Sequence, residues 1–152
     1  MKRPPLFLLP PIQTILWLGA GWLAHRSTGY PSACRSRPLT IAGWLLVGAG
    51  IALIGWASRR FRAAGTSEKP WIAPKAFVVS GPYLLTRNPM YVGMALILLG
   101  TAAIRNSPPM LLAPAGFITT VTLTWIRYEE FILTKRFGKS YAAYRSRVGR
   151  WL

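Results

Sequence analysis

Apolar residues fall along this chain in long runs separated by basic, proline-containing stretches, and the narrow stripes of amphipathic helices are missing. Runs of this kind are helices long enough to cross a bilayer. The first covers Leu6 to Ala24 and contains Pro10-Pro11, which leaves its start open. Leu39 to Ala57 is the cleanest; at 1.5 Å per residue it reaches about 28 Å, close to the hydrocarbon thickness. Its glycines at 43, 48, 50 and 55 are small enough for close helix contacts. The third run is predicted over 89–104 and the fourth over 108–126, with Pro114 as a candidate kink. Arg105-Asn-Ser-Pro-Pro between them is short, so these two should form an antiparallel hairpin. From Arg127 to Leu152 the chain turns polar and basic, and is predicted helical, with Phe131, Tyr141, Tyr144, Val148 and Trp151 as an apolar component able to lie against a membrane.

The pattern predicts an all-α polytopic membrane protein: one domain over 1–152, about four transmembrane helices (6–24, 39–57, 89–104 and 108–126) and a helical C-terminal segment, 127–152. Composition agrees, with 52% hydrophobic and only 14% charged residues. The basic start followed by an apolar run resembles a signal peptide, but no small-residue cleavage site follows and three further spans do.

A net charge of +16, from 19 Lys and Arg against three acids, often signals nucleic acid. Here the cations cluster just outside the apolar runs, so anionic headgroups and topology account for them better than nucleic acid does. Fifteen lie in the N-terminus, the 58–88 loop and the C-terminal tail, against four in the 25–38 loop and at Arg105. By the positive-inside rule both termini and the 58–88 loop are cytoplasmic, whether in a cell inner membrane or an endomembrane. With one cysteine, Cys34, and one histidine, His25, the chain has no disulfide framework, and a cysteine- or histidine-based metal centre or a Ser/His/Asp triad is not expected.

The stretch richest in chemistry runs from Gly81 to Gly93. Asn88 reads as a helix N-cap and Pro89 as the first helical residue. A helix start favours an anion, and Arg87 adds a full charge beside it. Tyr91 follows in the first turn, and Gly93 permits close approach by a backbone or a flat ligand. An interfacial anchor of Arg and Tyr explains the same residues equally well. Two of the three acids, Glu129 and Glu130, lie at the same cytoplasmic end of the fourth span. Neighbours on a helix diverge by about 100°, so one can face the site beside Asn88 while the other pairs with Arg127, Lys135 or Arg136. Together these offer positive groups for an anion, a carboxylate for a cation or hydroxyls, and Tyr83, Tyr91 and Tyr128 for a flat ring or a sulfonium. S-adenosylmethionine suits that inventory, which does not by itself select it.

Two blocks carry a family resemblance. Gly81-Pro-Tyr-x-x-x-Arg-Asn-Pro-Met-Tyr-x-Gly93 is similar to GPYxxxRHPxYxG, and Glu129-Glu-x-x-Leu-x-x-x-Phe-Gly-x-x-Tyr-x-x-Tyr-x-x-x-Val148 to a C-terminal block containing the same paired glutamates. Both belong to the integral membrane methyltransferases that include isoprenylcysteine carboxyl methyltransferase and the phospholipid N-methyltransferases. The resemblance covers residues 76–152. It implies methyl transfer from S-adenosylmethionine to a lipophilic or small acceptor, with Tyr83, Arg87, Asn88, Tyr91, Gly93, Glu129 and Glu130 at the cofactor, Tyr91 and Arg147 at the reacting end, and no metal. Asn88 stands where the family usually has histidine; it can donate a hydrogen bond but cannot carry a proton near neutral pH, so a binding role survives and a role as base does not. Without that histidine, a carboxylate or thiolate acceptor is easier to serve than an ammonium, which must first lose a proton. The partners implied are membrane lipids and the acceptor; the sequence leaves the acceptor and the oligomeric state open. A sterol-type NADPH reductase shares similar C-terminal motifs, but such enzymes are generally longer. A transporter coupled to protons needs an acid deep in a span, and none occurs here.

Overall fold

The structure, a computed structural model, describes residues 3–30, 36–66 and 76–152, so the parts of the 25–38 and 59–75 loops at 31–35 and 67–75, with Cys34 and Glu68, lie outside the described residues. Every regular element described is helical. In chain order they are α1 (Pro10–Ser27), α2 (Arg37–Ala63), α3 (Pro89–Ile104), α4 (Leu112–Val121) and α5 (Arg127–Arg145), with 3-10 turns at Leu6–Leu8, Gly81–Leu84 and Pro108–Leu111. A π-helical turn, Thr122–Ile126, joins α4 to α5, so that helical structure runs over the 38 residues of Pro108–Arg145 with a kink at Gly138. That helix and α2 are long and apolar enough to cross a membrane, and α3 is a shorter apolar helix.

Several boundaries differ from the sequence expectation for clear reasons. Pro10 opens α1 at a position where the missing N–H costs nothing, so the two prolines start the first helix instead of interrupting it. Ser36 caps α2, its hydroxyl accepting from the Leu39 N–H, and the helix then runs to Ala63 through arginines expected in the loop. Pro114 is the third residue of α4, close behind the 3-10 turn Pro108–Leu111, and produces no break there. The break in the last helix falls at Gly138, whose φ of 46° and ψ of −116° only glycine adopts readily.

α2 and α3 form the tightest pair. Gly43 lies against Gly100 and Gly50 against Gly93, each so close that a Cβ on one would stand 2.5–2.7 Å from the carbonyl oxygen of the other. Both pairs are seven residues apart, two turns of a helix, so the backbones meet twice along one antiparallel seam. Gly48 and Gly55, also candidates for close contact, have nothing within 4 Å of a built Cβ. Beyond Gly50, α2 continues to Ala63, whereas α3 begins only four residues before Gly93. α2 therefore outruns the start of α3 by about two and a half turns, and described residues leading into α3 pack in the recess this leaves. Phe77 does so by stacking on Phe137 and meeting Tyr141 and Tyr144 edge-on. Tyr83 does so by packing its ring edge against Phe61 of α2.

α1 lies against α4, where a buried polar network joins them. Gln13 accepts from Thr120 at 2.7 Å and donates to the Leu8 carbonyl at 2.6 Å, while Trp17 donates to Thr120 at 3.0 Å. The apolar core contains Leu98, Ala113, Phe117, Val121, Trp125, Ile126 and Tyr91.

Candidate functional site

The start of α3, the first turn of α5 and the C-terminal stretch meet in the recess. Asn88 is placed by Thr86, whose hydroxyl accepts the Asn88 backbone N–H at 3.2 Å. Its side chain does not cap α3. It donates from Nδ2 to the carbonyl of Arg150 at 2.8 Å, and Thr86 Oγ1 donates to the same oxygen at 3.1 Å. The Arg87 backbone N–H donates to the Gly149 carbonyl at 2.9 Å. A helix start expected to hold an anion with its own cap thus binds the tail of its own chain.

Arg87 turns inward, with only 10% of its side chain exposed. Nη1 contacts Glu130 Oε1 at 2.9 Å and donates to the Tyr141 hydroxyl at 3.2 Å. Its Nε is buried with no hydrogen-bond partner among the described residues. Glu130 also receives Arg150 through two bonds, Nε to Oε1 at 2.9 Å and Nη2 to Oε2 at 2.7 Å. Those bonds raise the Arg150 pKa above its ordinary value, so the guanidinium stays charged. One turn deeper, the Tyr91 hydroxyl donates to Glu129 Oε1 at 2.5 Å.

The two glutamates do diverge, but both face inward. Among the described ion pairs Glu130 joins Arg87 and Arg150, in place of the expected Arg127, Lys135 or Arg136, all three of which lie outside this cluster. The basic residue at the site from the tail is Arg150. Arg147 is exposed, and its Nε donates to the Ala143 carbonyl one turn back at 3.1 Å. Tyr83 is buried behind the site, its carbonyl accepting the Tyr144 hydroxyl at 2.6 Å. Gly93 faces α2, so the close approach it permits is taken by the Gly50 backbone. Tyr128 packs edge-on against Trp125. Sequence reasoning missed Arg150, Tyr141 and Thr86. The shortage of acids was the available signal for Arg150: a tail arginine drawn into the site needs a carboxylate, and among the described acids Glu129 and Glu130 are there.

The cluster thus combines two guanidinium cations and one carboxylate bonded to both, with a second carboxylate held by a phenol. Its unmet need among the described residues is an acceptor for the Arg87 Nε–H. The family model described as phospholipid methyltransferase matches residues 39–140, more than half of the chain, with nearly all of α2 and the whole of α3 and α4. The chain belongs to the phospholipid methyltransferase family. Its members are membrane methyltransferases, which fits a cluster of this chemistry at the ends of apolar helices. Neither the curated proteins nor the solved structures contain a match to the chain.

Proposed function

We propose that the chain transfers a methyl group from S-adenosylmethionine to a lipophilic or small acceptor at a membrane surface. The observation that carries this reading is Arg87, a buried cation whose Nε lacks a partner, set beside two inward-facing glutamates in a member of a methyltransferase family. A zwitterionic cofactor answers both signs of that cluster. Arg87 and Asn88 are assigned to its carboxylate, and Glu129 and Glu130 to its cationic and hydroxyl groups. Tyr91 lies between these and the reacting end, while Tyr83 and Gly93 support them from behind. The cofactor, when bound, supplies a methyl group already activated by its sulfonium.

The residues of this chain then have two tasks, orientation and exclusion of water. Arg87, held at Nη1 by Glu130 and Tyr141, orients the anionic end. The buried ring of Tyr91 and the half-buried Trp151 keep the site dry from below. A carboxylate or thiolate acceptor reacts without further help. An ammonium acceptor first gives up its proton, and Glu129, linked to Tyr91, is the carboxylate assigned to take it. The family description favours a phospholipid among the possible acceptors. Arg147, exposed beyond the cluster, is assigned to the acceptor side.

In this reading α1 and α3 cross the membrane with the two longer helices, giving four spans. The basic ends of α2 and α5 then face the cytoplasm with both termini. The test is calorimetric titration of the detergent-purified protein with S-adenosylhomocysteine, with NADPH in parallel. Saturable binding of S-adenosylhomocysteine alone is expected; binding of NADPH alone, or of neither by folded protein, would overturn the reading.

A further inference from the structure

The C-terminal stretch reaches the site at more points than a loosely packed tail requires. Gly149 and Arg150 offer their carbonyls to Arg87, Thr86 and Asn88 at the start of α3, while the Arg150 guanidinium grips Glu130 of α5 with two bonds. Next to it, Trp151 packs on the core cluster that contains Tyr91 and Trp125. Arg150 is thus the one residue whose backbone holds Asn88 and whose side chain holds Glu130. Glu130 in turn holds Arg87 through Oε1, the oxygen that also accepts Arg150 Nε. A carboxylate bonded by a fork of two N–H groups has its plane fixed, which a single contact does not achieve.

We propose that Arg150 is a positioning residue of the cofactor site: through Glu130 it fixes the orientation of the Arg87 guanidinium, and with it the direction of the unpaired Nε–H towards the anionic group of the ligand. This rests on the methyltransferase reading above. Arg150 itself touches no ligand in this account. It is 36% exposed at its side chain, whereas Arg87 is 10% exposed, so the two arginines on Glu130 differ in role: one is the buried group that binds, the other the outer group that holds the carboxylate in place.

The experiment is a double-mutant cycle read by S-adenosylhomocysteine affinity, using the full chain in detergent with Arg150→Ala, Glu130→Gln and the pair combined. Arg150→Ala is expected to weaken binding about tenfold. Because Arg150 acts through Glu130, the double variant should bind no more weakly than Glu130→Gln alone. Arg150→Lys keeps the charge but loses the fork, and should fall between wild type and Arg150→Ala. Arg150→Gln replaces Arg150→Ala in the cycle if the latter does not fold. Losses that multiply in the double variant would overturn the proposal, and so would wild-type affinity in folded Arg150→Ala with only its melting temperature lowered. If the wild-type protein itself does not bind, the methyltransferase reading falls and this proposal with it; binding by wild type with multiplying losses removes this proposal alone.

Discussion

Glu129 and Glu130 are adjacent and chemically identical, yet their surroundings assign them very different costs of neutralisation. Glu130→Gln keeps one carbonyl oxygen and replaces the other by an NH2 group that must face a guanidinium. The contact to Arg87 is buried on both sides, and losing a charge there leaves a cation without full compensation. Breaking such a pair costs about 3–5 kcal/mol, and the surviving amide oxygen recovers roughly half of that. Arg150 is more exposed and finds water instead, so its contact adds only about 1 kcal/mol. The expected loss of folding stability is therefore about 3 kcal/mol. Glu129→Gln behaves otherwise, because its described partner is the Tyr91 hydroxyl, a neutral donor that an amide oxygen accepts equally well. That change should cost less than about 1 kcal/mol. The difference of about 2 kcal/mol is near a thirtyfold change in the unfolding equilibrium, readable from denaturation in mixed micelles followed by tryptophan fluorescence. Equal destabilisation by the two substitutions, or the reverse order, would refute the assignment of Glu130 as the carboxylate shared by two arginines.

Gly50→Leu should separate α2 from α3, since even a Cβ there would meet the Gly93 carbonyl oxygen at 2.5 Å; a loss of at least 1–3 kcal/mol is expected, against near neutrality for Gly48→Leu, in the same denaturation assay. Asn88→Asp cannot donate to the Arg150 carbonyl and should release the tail, seen as faster proteolysis after Arg150, whereas Asn88→His retains a donor and should protect it. Arg147→Ala removes an exposed side chain whose described bond goes back to the end of α5; it should leave S-adenosylhomocysteine affinity within twofold and lower turnover of the acceptor, and an equal loss of cofactor affinity would contradict its assignment to the acceptor side.

What could be read from the sequence divides by the range of the interactions involved. The apolar runs and the proline at the start of α3 depend on local chemistry, and the bounds of α3 follow from them directly. The pairing of the two sequence blocks in space was legible too, since each ends an apolar run on the same basic side. Partners of individual side chains were not. Asn88 has the identity of a cap and the position of a cap, yet its side chain makes no capping bond and its Nδ2 donates to the Arg150 carbonyl 62 residues away. Arg147 and Arg150 are both basic tail residues at the end of α5, and only the turn at Ser146 and the stretch after it decide which one faces inward. Gly93 was legible as a point of close approach but not as to what approaches.

The π-helical turn shows most clearly how a local feature sets the site. Ala113, Phe117, Val121 and Trp125 are buried at spacings of four, and Glu129 continues the series. In a regular α-helix each step of four overshoots a full turn by about 40°, so four steps carry Glu129 about 160° away from the face that buries Ala113. A straight helix through the core would therefore point Glu129 towards the opposite side from Tyr91. The wider turn at Thr122–Ile126 acts as one inserted residue and takes back about 100° of that drift. Its sequence signal is the threonine pair: the hydroxyls of Thr122 and Thr124 donate to carbonyls four residues earlier, at Ile118 and Thr120, which loosens and bends a helix. Gln13 and the Leu8 carbonyl then hold the widened turn through Thr124 and Trp125. The first helix thereby contributes to the site by fixing the turn that rotates both glutamates towards Tyr91 and Arg87.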